Sequence, residues 1–108
     1  MEDKNIVLLV VDALRKDHLS CYGYDRKTTP FLDKFAEKNT KLGNFWSTSS
    51  HTREAVPSML TGCYPEKAVN HSYEISENGL QQEISQKSAA FHSNPFISRA
   101  YGYQEGFD

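Results

Sequence analysis

The spacing of apolar residues changes along this chain, and each spacing predicts a different element. Ile6-Val7-Leu8-Leu9-Val10-Val11 is continuously apolar and rich in β-branched residues. A strand covered on both faces, as at the centre of a parallel sheet, requires that pattern. From Arg15 to Lys27 the sequence turns polar and Tyr-rich, with a Gly at 23, and reads as a loop. Helical spacing begins at Thr28-Thr29-Pro30. Thr29 suits an N-cap and Pro30 suits N1, where its missing N–H costs nothing. Phe31, Leu32, Phe35 and Ala36 form the expected buried stripe, Lys34 and Lys38 face water, and Asn39 closes the helix. A weaker strand is expected over Lys41 to Trp46, with Gly43 inside it.

The stretch from Phe45 to Pro65, FWSTSSHTREAVPSMLTGCYP, organises the rest. It passes from aromatic residues through a run of hydroxyls into helical spacing. Ala55, Val56, Met59 and Leu60 make one apolar face, and Gly62 before Tyr64-Pro65 is a stop signal. Thr52 stands at the mouth of this helix, as a cap for free backbone amides. The same place suits an attacking oxygen, because the amides and the helix dipole favour negative charge there. Pro57 either removes one backbone bond inside a helix that starts at Thr52, or marks N1 of a helix that starts near Val56. Glu66 to Gly79 reads as a connecting loop, Leu80 to Gln86 as a short helix, and Ser88-Ala89-Ala90-Phe91 as a third short strand. The resulting order of strands and helices is that of a layered α/β domain.

Composition narrows the function classes. With 108 residues the chain is at most one small domain. A hydrophobic content of 38% with six Phe and six Tyr indicates a packed chain rather than disorder. The formal charge of −2, from 12 basic and 14 acidic residues, leaves no electrostatic footprint for nucleic acid. The run at 6–11 is too short to span a bilayer, and Glu2, Asp3 and Lys4 do not make a signal peptide. Cys21 and Cys63 lack a paired metal spacing and read as reduced residues, so the expected compartment is cytoplasmic.

Candidate chemistry then falls at two places. Asp12 follows the first expected strand directly, where open α/β sheets collect ligands; capping the next turn or pairing with Arg15 would equally explain it. Thr52 is the second. Asp17 and His18 have ligand chemistry, although loop residues of this kind are more commonly solvated. Arg53 could meet substrate oxygens, a solvated first-turn Arg being the commoner case.

With Asp12 and Thr52 both placed at the carboxyl edge of one expected sheet, NIVLLVVDALRKDHLSCYGYDRKTTPFLDKFAEK resembles the opening of the sulfatase branch of the alkaline phosphatase superfamily. MLTGCYP is similar to that family's Leu-Thr-Gly-x-x-Pro signature, and AAFHSNPFISRAYGYQEGFD to a later segment ending in Gly-Phe-Asp. The resemblance covers nearly the whole chain. It implies an alkaline-phosphatase-like layered fold with a mostly parallel sheet, of which residues 1–108 would be an incomplete, N-terminal portion.

It also implies a site. Counting back from Leu60-Thr61-Gly62, the family's nucleophile falls on Thr52, where sulfatases carry Cys or Ser in Cys-x-Pro-Ser-Arg, oxidised to formylglycine. Thr52-Arg53-Glu54-Ala55-Val56 has neither that Cys nor the Pro and Arg. Thr nucleophiles occur in phosphodiester-cleaving and phosphoglycerol-transferring relatives. Asp12 matches the first acid of an Asp-Asp pair whose second member is here Ala13. His92-Ser93-Asn94-Pro95 replaces the family's Gly-Lys-Trp-His.

By resemblance, Asp12 and Thr52 would hold a divalent cation (calcium, magnesium, manganese or zinc). That cation would activate Thr52 for displacement at sulfur or phosphorus. One acid and one Thr do not complete such a site, since hard cations take about six ligands. The expected function is hydrolysis of small sulfate or phosphate esters, with further ligands supplied from beyond residue 108. The alternatives are a non-catalytic remnant, a Thr-nucleophile phosphodiesterase or phosphoglycerol transferase, and a dehalogenase-like phosphatase using Asp12. The last wants an acid at position 14, which is Leu. Incomplete strand edges would favour self-association or a partner that completes the sheet.

Overall fold

A computed structural model describes residues 4–84 and 86–108. The chain divides into two compact units, Met1–Phe45 and Trp46–Asp108. Among the described residues the regular elements are helices, together with one antiparallel bridge, Val69 with Ile75. The strands expected at 6–11, 41–46 and 88–91 carry no β-ladder. The reason is visible at 6–11, where every side chain is exposed, from 46% at Val10 to 89% at Val7. A strand of the parallel type is stable only with a neighbour on each edge and cover on both faces, and among the described residues of the first unit no strand pairs with this run.

The first unit is built around helix α1, Pro30–Lys38. Thr29 and Pro30 take the expected N-cap and N1 positions, but the Thr29 hydroxyl does not bond a helix amide. It donates instead to Asp33 Oδ1 at 3.2 Å, while Ser20 Oγ donates to Asp33 Oδ2 at 2.7 Å. Asp33 thus ties the Ser20–Tyr22 turn to the helix. Asn39 closes the far end by donating from Nδ2 to the Phe35 carbonyl at 2.9 Å. The expected apolar stripe is not buried: Phe31 is 78% exposed and Phe35 57%. Leu32 and Phe35 instead join Leu9, Val11, Leu42 and Phe45 around an open apolar groove. Where a second strand was expected, residues 41–43 are fastened by polar contacts. Lys41 donates to the Cys21 carbonyl at 2.6 Å, Tyr22 to the Leu42 carbonyl at 2.9 Å, and Lys16 to the Gly43 carbonyl.

The second unit is organised on helix α2, Thr52–Thr61. The helix continues through Pro57, the first of the two possibilities the sequence allowed. It ends at Gly62, whose φ of 69° is left-handed and whose amide bonds the Ser58 carbonyl at 2.9 Å. Its buried residues are Pro57 and Ser58, whereas Met59, expected on the apolar face, is half exposed. Proline is compact, rigid and free of a donor, so its ring can be enclosed without an orphaned N–H.

Two short helices follow: α3, Pro65–Ala68, within the segment expected as loop, and α4, Leu80–Glu83, shorter than expected. The remainder of the expected α4 includes Ser85, which lies outside the described residues. Helix α2 packs on both α3 and α4. Ala68, Gln81 and Tyr103 are buried with Pro57 and Ser58.

The tail closes over α4. Gly106 has φ of 84°, and a Cβ there would stand 2.6 Å from Gln82 Cγ, so both backbone and space call for glycine. Gln81 Nε2 donates to the Glu105 carbonyl at 3.1 Å. At 88–91, the expected third strand, only Ser88 engages the tail. Its amide donates to Asp108 Oδ2 at 2.8 Å, its hydroxyl to the Gly106 carbonyl at 2.8 Å, and its carbonyl accepts from the Asp108 amide at 2.9 Å.

Two stability predictions follow from this packing. Ser58 Oγ is buried and has no hydrogen-bond partner among the described residues. Ser58→Ala removes that unmet group and improves helix propensity, so it should stabilise the chain by about 0.5–1 kcal/mol. A lower melting temperature for this variant would contradict the packing described. Burial pushes the Tyr103 hydroxyl up to about 12 from an ordinary value of 10.0. The folded state therefore holds this proton more tightly than the unfolded state. Its contribution is fully present below pH 10 and is lost as pH rises toward 12. Base titration followed by circular dichroism should show this loss, and Tyr103→Phe should flatten it.

Candidate functional site

The approach to α2 is knitted by the hydroxyl run. Ser47 Oγ donates to the Ser49 carbonyl at 2.6 Å. Ser49 Oγ accepts from the His51 amide at 3.1 Å and donates to the Glu54 carboxylate. Ser50 Oγ meets His51 Nδ1 at 3.1 Å. These contacts fix the chain as it turns into the helix. His51, extended at φ −116° and ψ 138°, is the N-cap residue. Thr52 is therefore one place further in than expected: it is the first helical residue, half-buried. The Glu54 and Ala55 amides close the first turn on the His51 carbonyl at 3.2 and 2.9 Å.

Arg53, the next residue, is not loosely solvated. Its guanidinium carbon lies 4.6 Å from the centre of the Tyr73 ring and 4.5 Å from that of Phe96. Each ring is delivered by a turn built on an Asn. Asn70 Oδ1 accepts from the amides of Ser72 and Glu74 at 2.8 and 3.0 Å. That turn holds Tyr73 at a left-handed φ of 62°, a conformation costing roughly 1 kcal/mol or more in a residue with a side chain. Asn94 Oδ1 accepts from the Phe96 amide at 3.0 Å, and its carbonyl meets His92 Nδ1 at 3.1 Å. Sequence reasoning noticed Arg53 but missed its aromatic neighbours, which lie 20 and 43 residues further along the chain. The signal available was Asn two or three residues before an aromatic, in Asn70-His71-Ser72-Tyr73 and Asn94-Pro95-Phe96.

Asp12 belongs to the first unit and Thr52 to the second. Asp12 is exposed and is followed by Ala13 at a left-handed φ of 58°, so the apolar run ends in a strained turn directly after the acid. Asp17 is committed elsewhere. Arg15 bonds its carboxylate at 2.5 Å and His18 Nδ1 at 3.1 Å, and these partners, Arg15 foremost, hold it down to about 2. Cys21 and Cys63 are free and half-buried. Among the described residues no three or more His, Cys, Asp or Glu side chains cluster as a metal site requires. Nor is any helix among them long and apolar enough to cross a membrane.

A family model described as Sulfatase matches residues 4–108. The chain is 33% identical over 66 residues to an N-acetylgalactosamine-6-O-sulfatase of Bacteroides thetaiotaomicron, covering 61% of this chain and 13% of that protein. It is 36% identical over 61 residues to human arylsulfatase H, covering 56% of this chain and 11% of the relative. Human arylsulfatase A is also 36% identical over 61 residues, covering 56% and 12%. The matched part is thus a small share of each relative's length. No solved structure matches the chain significantly. The family match spans both candidate positions, Asp12 and Thr52, and every described residue, so this chain belongs to the sulfatase family.

Proposed function

We propose that these residues form part of a sulfatase-like hydrolase of sulfate or phosphate esters in which Thr52 is the attacking group. The fold proposed for the complete arrangement is α/β and alkaline-phosphatase-like, with a mostly parallel sheet. The observation that carries the reading is the position of Thr52. It opens α2, beside the positive end of the helix dipole, in a chain that matches the sulfatase family throughout.

In the proposed displacement Thr52 Oγ forms a bond to the sulfur or phosphorus and gives up its proton. The bond to the departing alcohol oxygen breaks, and that oxygen takes up a proton. Water then cleaves the threonyl ester, releasing sulfate or phosphate and restoring the hydroxyl. First-turn amides and the helix dipole oppose the charge that accumulates on the oxygens. Threonine at this place, rather than the Cys or Ser of sulfatases, favours phosphate esters as an alternative substrate class.

Sulfatases as a family use a divalent metal ion. The described residues do not fit such an ion alone, because they bring together no cluster of three ligating side chains. No step above therefore runs through a metal. The same observation favours a second reading, in which these residues bind an ester without turning it over.

The 108-residue chain should hydrolyse aryl sulfate and aryl phosphate no faster than Thr52→Ala, with calcium, magnesium, manganese or zinc added. Rapid turnover lost in Thr52→Ala would show that these residues suffice for activity. Turnover equal in both proteins and above the blank would remove Thr52 from the mechanism. In any longer chain that completes the ligand set, Thr52→Ala should lower kcat/KM by about 10³-fold or more.

A further inference from the structure

The Arg53 guanidinium lies over two rings of the second unit, Tyr73 at 4.6 Å and Phe96 at 4.5 Å. A guanidinium held against two rings keeps its charge but loses rotational freedom, and the N–H donors along its edge stay available for bonding. Aromatic faces satisfy the cation electrostatically and offer no acceptor to that edge. The edge presents donors in a fixed fork, the geometry that matches two oxygens of a carboxylate, sulfate or phosphate group. The two rings come from separate Asn-built turns at 70–74 and 94–97, so the cation is held from two independent segments. One wall is held at a backbone conformation that a tyrosine adopts only at a cost. A surface arginine serving solubility needs none of this.

We propose that Arg53, clamped by Tyr73 and Phe96, is an ester-binding residue that takes two oxygens of the tetrahedral sulfate or phosphate group beside Thr52. This rests on the reading of Thr52 given above and adds the residue that orients the anion for it. The stack makes Lys an unequal substitute, since an ammonium keeps the charge but has neither planar faces nor a fork.

The test is an NMR titration of the purified 108-residue chain with inorganic sulfate and, separately, inorganic phosphate, against chloride at matched ionic strength. The reporters are the Arg53 Nε–H, assigned through its own side chain, and the Thr52 and Arg53 backbone amides. The expected result is a saturable shift of all three with sulfate, phosphate or both, and none with chloride; the stronger arm names the ester class. In Arg53→Lys the response of the two amides should weaken by about tenfold or more, the loss of one charge-assisted bidentate contact. Tyr73→Leu and Phe96→Leu keep the arginine and release the clamp, and each should weaken binding by about three- to tenfold. Circular dichroism checks that the helices remain.

The wild-type arm decides even where a variant fails to fold. No saturable shift at Arg53 Nε–H, or shifts confined to other basic residues, overturns the proposal. An unchanged response in folded Arg53→Lys also overturns it. Binding that survives while turnover proves independent of Thr52 would discard the nucleophile and keep Arg53.

Discussion

Burial of one turn in the middle of α2 is the constraint on which the second unit depends. Pro57 and Ser58 are enclosed together with Ala68 of α3, Gln81 of α4 and Tyr103 of the tail. Holding a helix by its centre leaves its first turn to be shaped by other contacts. Here those contacts are the Ser47–Ser50 hydroxyls and the Arg53 stack. Packing and chemistry are thereby separated along one short helix. The proline that an isolated helix would reject serves the packing end. Thr52 and the charged Arg53 and Glu54 stand at the other end.

Where an element depends on local chemistry, the sequence disclosed it well. Thr29-Pro30 starts α1, Asn39 ends it, and Gly62 ends α2, because caps and left-handed stops act within a few residues. Elements that depend on distant partners were less legible. The run at 6–11 has the composition of a buried strand, yet among the described residues it carries no β-ladder and its side chains stay exposed. Phe31 and Phe35 have helical spacing but stay largely exposed. Periodicity reports which face a residue would bury, not whether a partner is present to bury it. The matched part amounts to 11–13% of the relatives' lengths.

The candidate site divides in the same manner. Thr52 could be found by counting back from Leu60-Thr61-Gly62, and its placement at the start of α2 differs from expectation by one residue. The aromatic walls of Arg53 could not be found that way, because they come from turns far along the chain. Asp12 is singled out by its place after the apolar run, an exposed residue of the first unit. The strained Ala13 beside it was not, since alanine carries no sequence signal for a positive φ.

The central claim is that the first turn of α2 receives a tetrahedral oxyanion at Thr52. The most direct measurement is a crystal structure of the chain grown with vanadate, located by its anomalous scattering. The account predicts vanadium bonded to Thr52 Oγ, with the Arg53 N–H edge on two of its oxygens. Vanadate bound elsewhere while the Thr52 hydroxyl stays unmodified would contradict it.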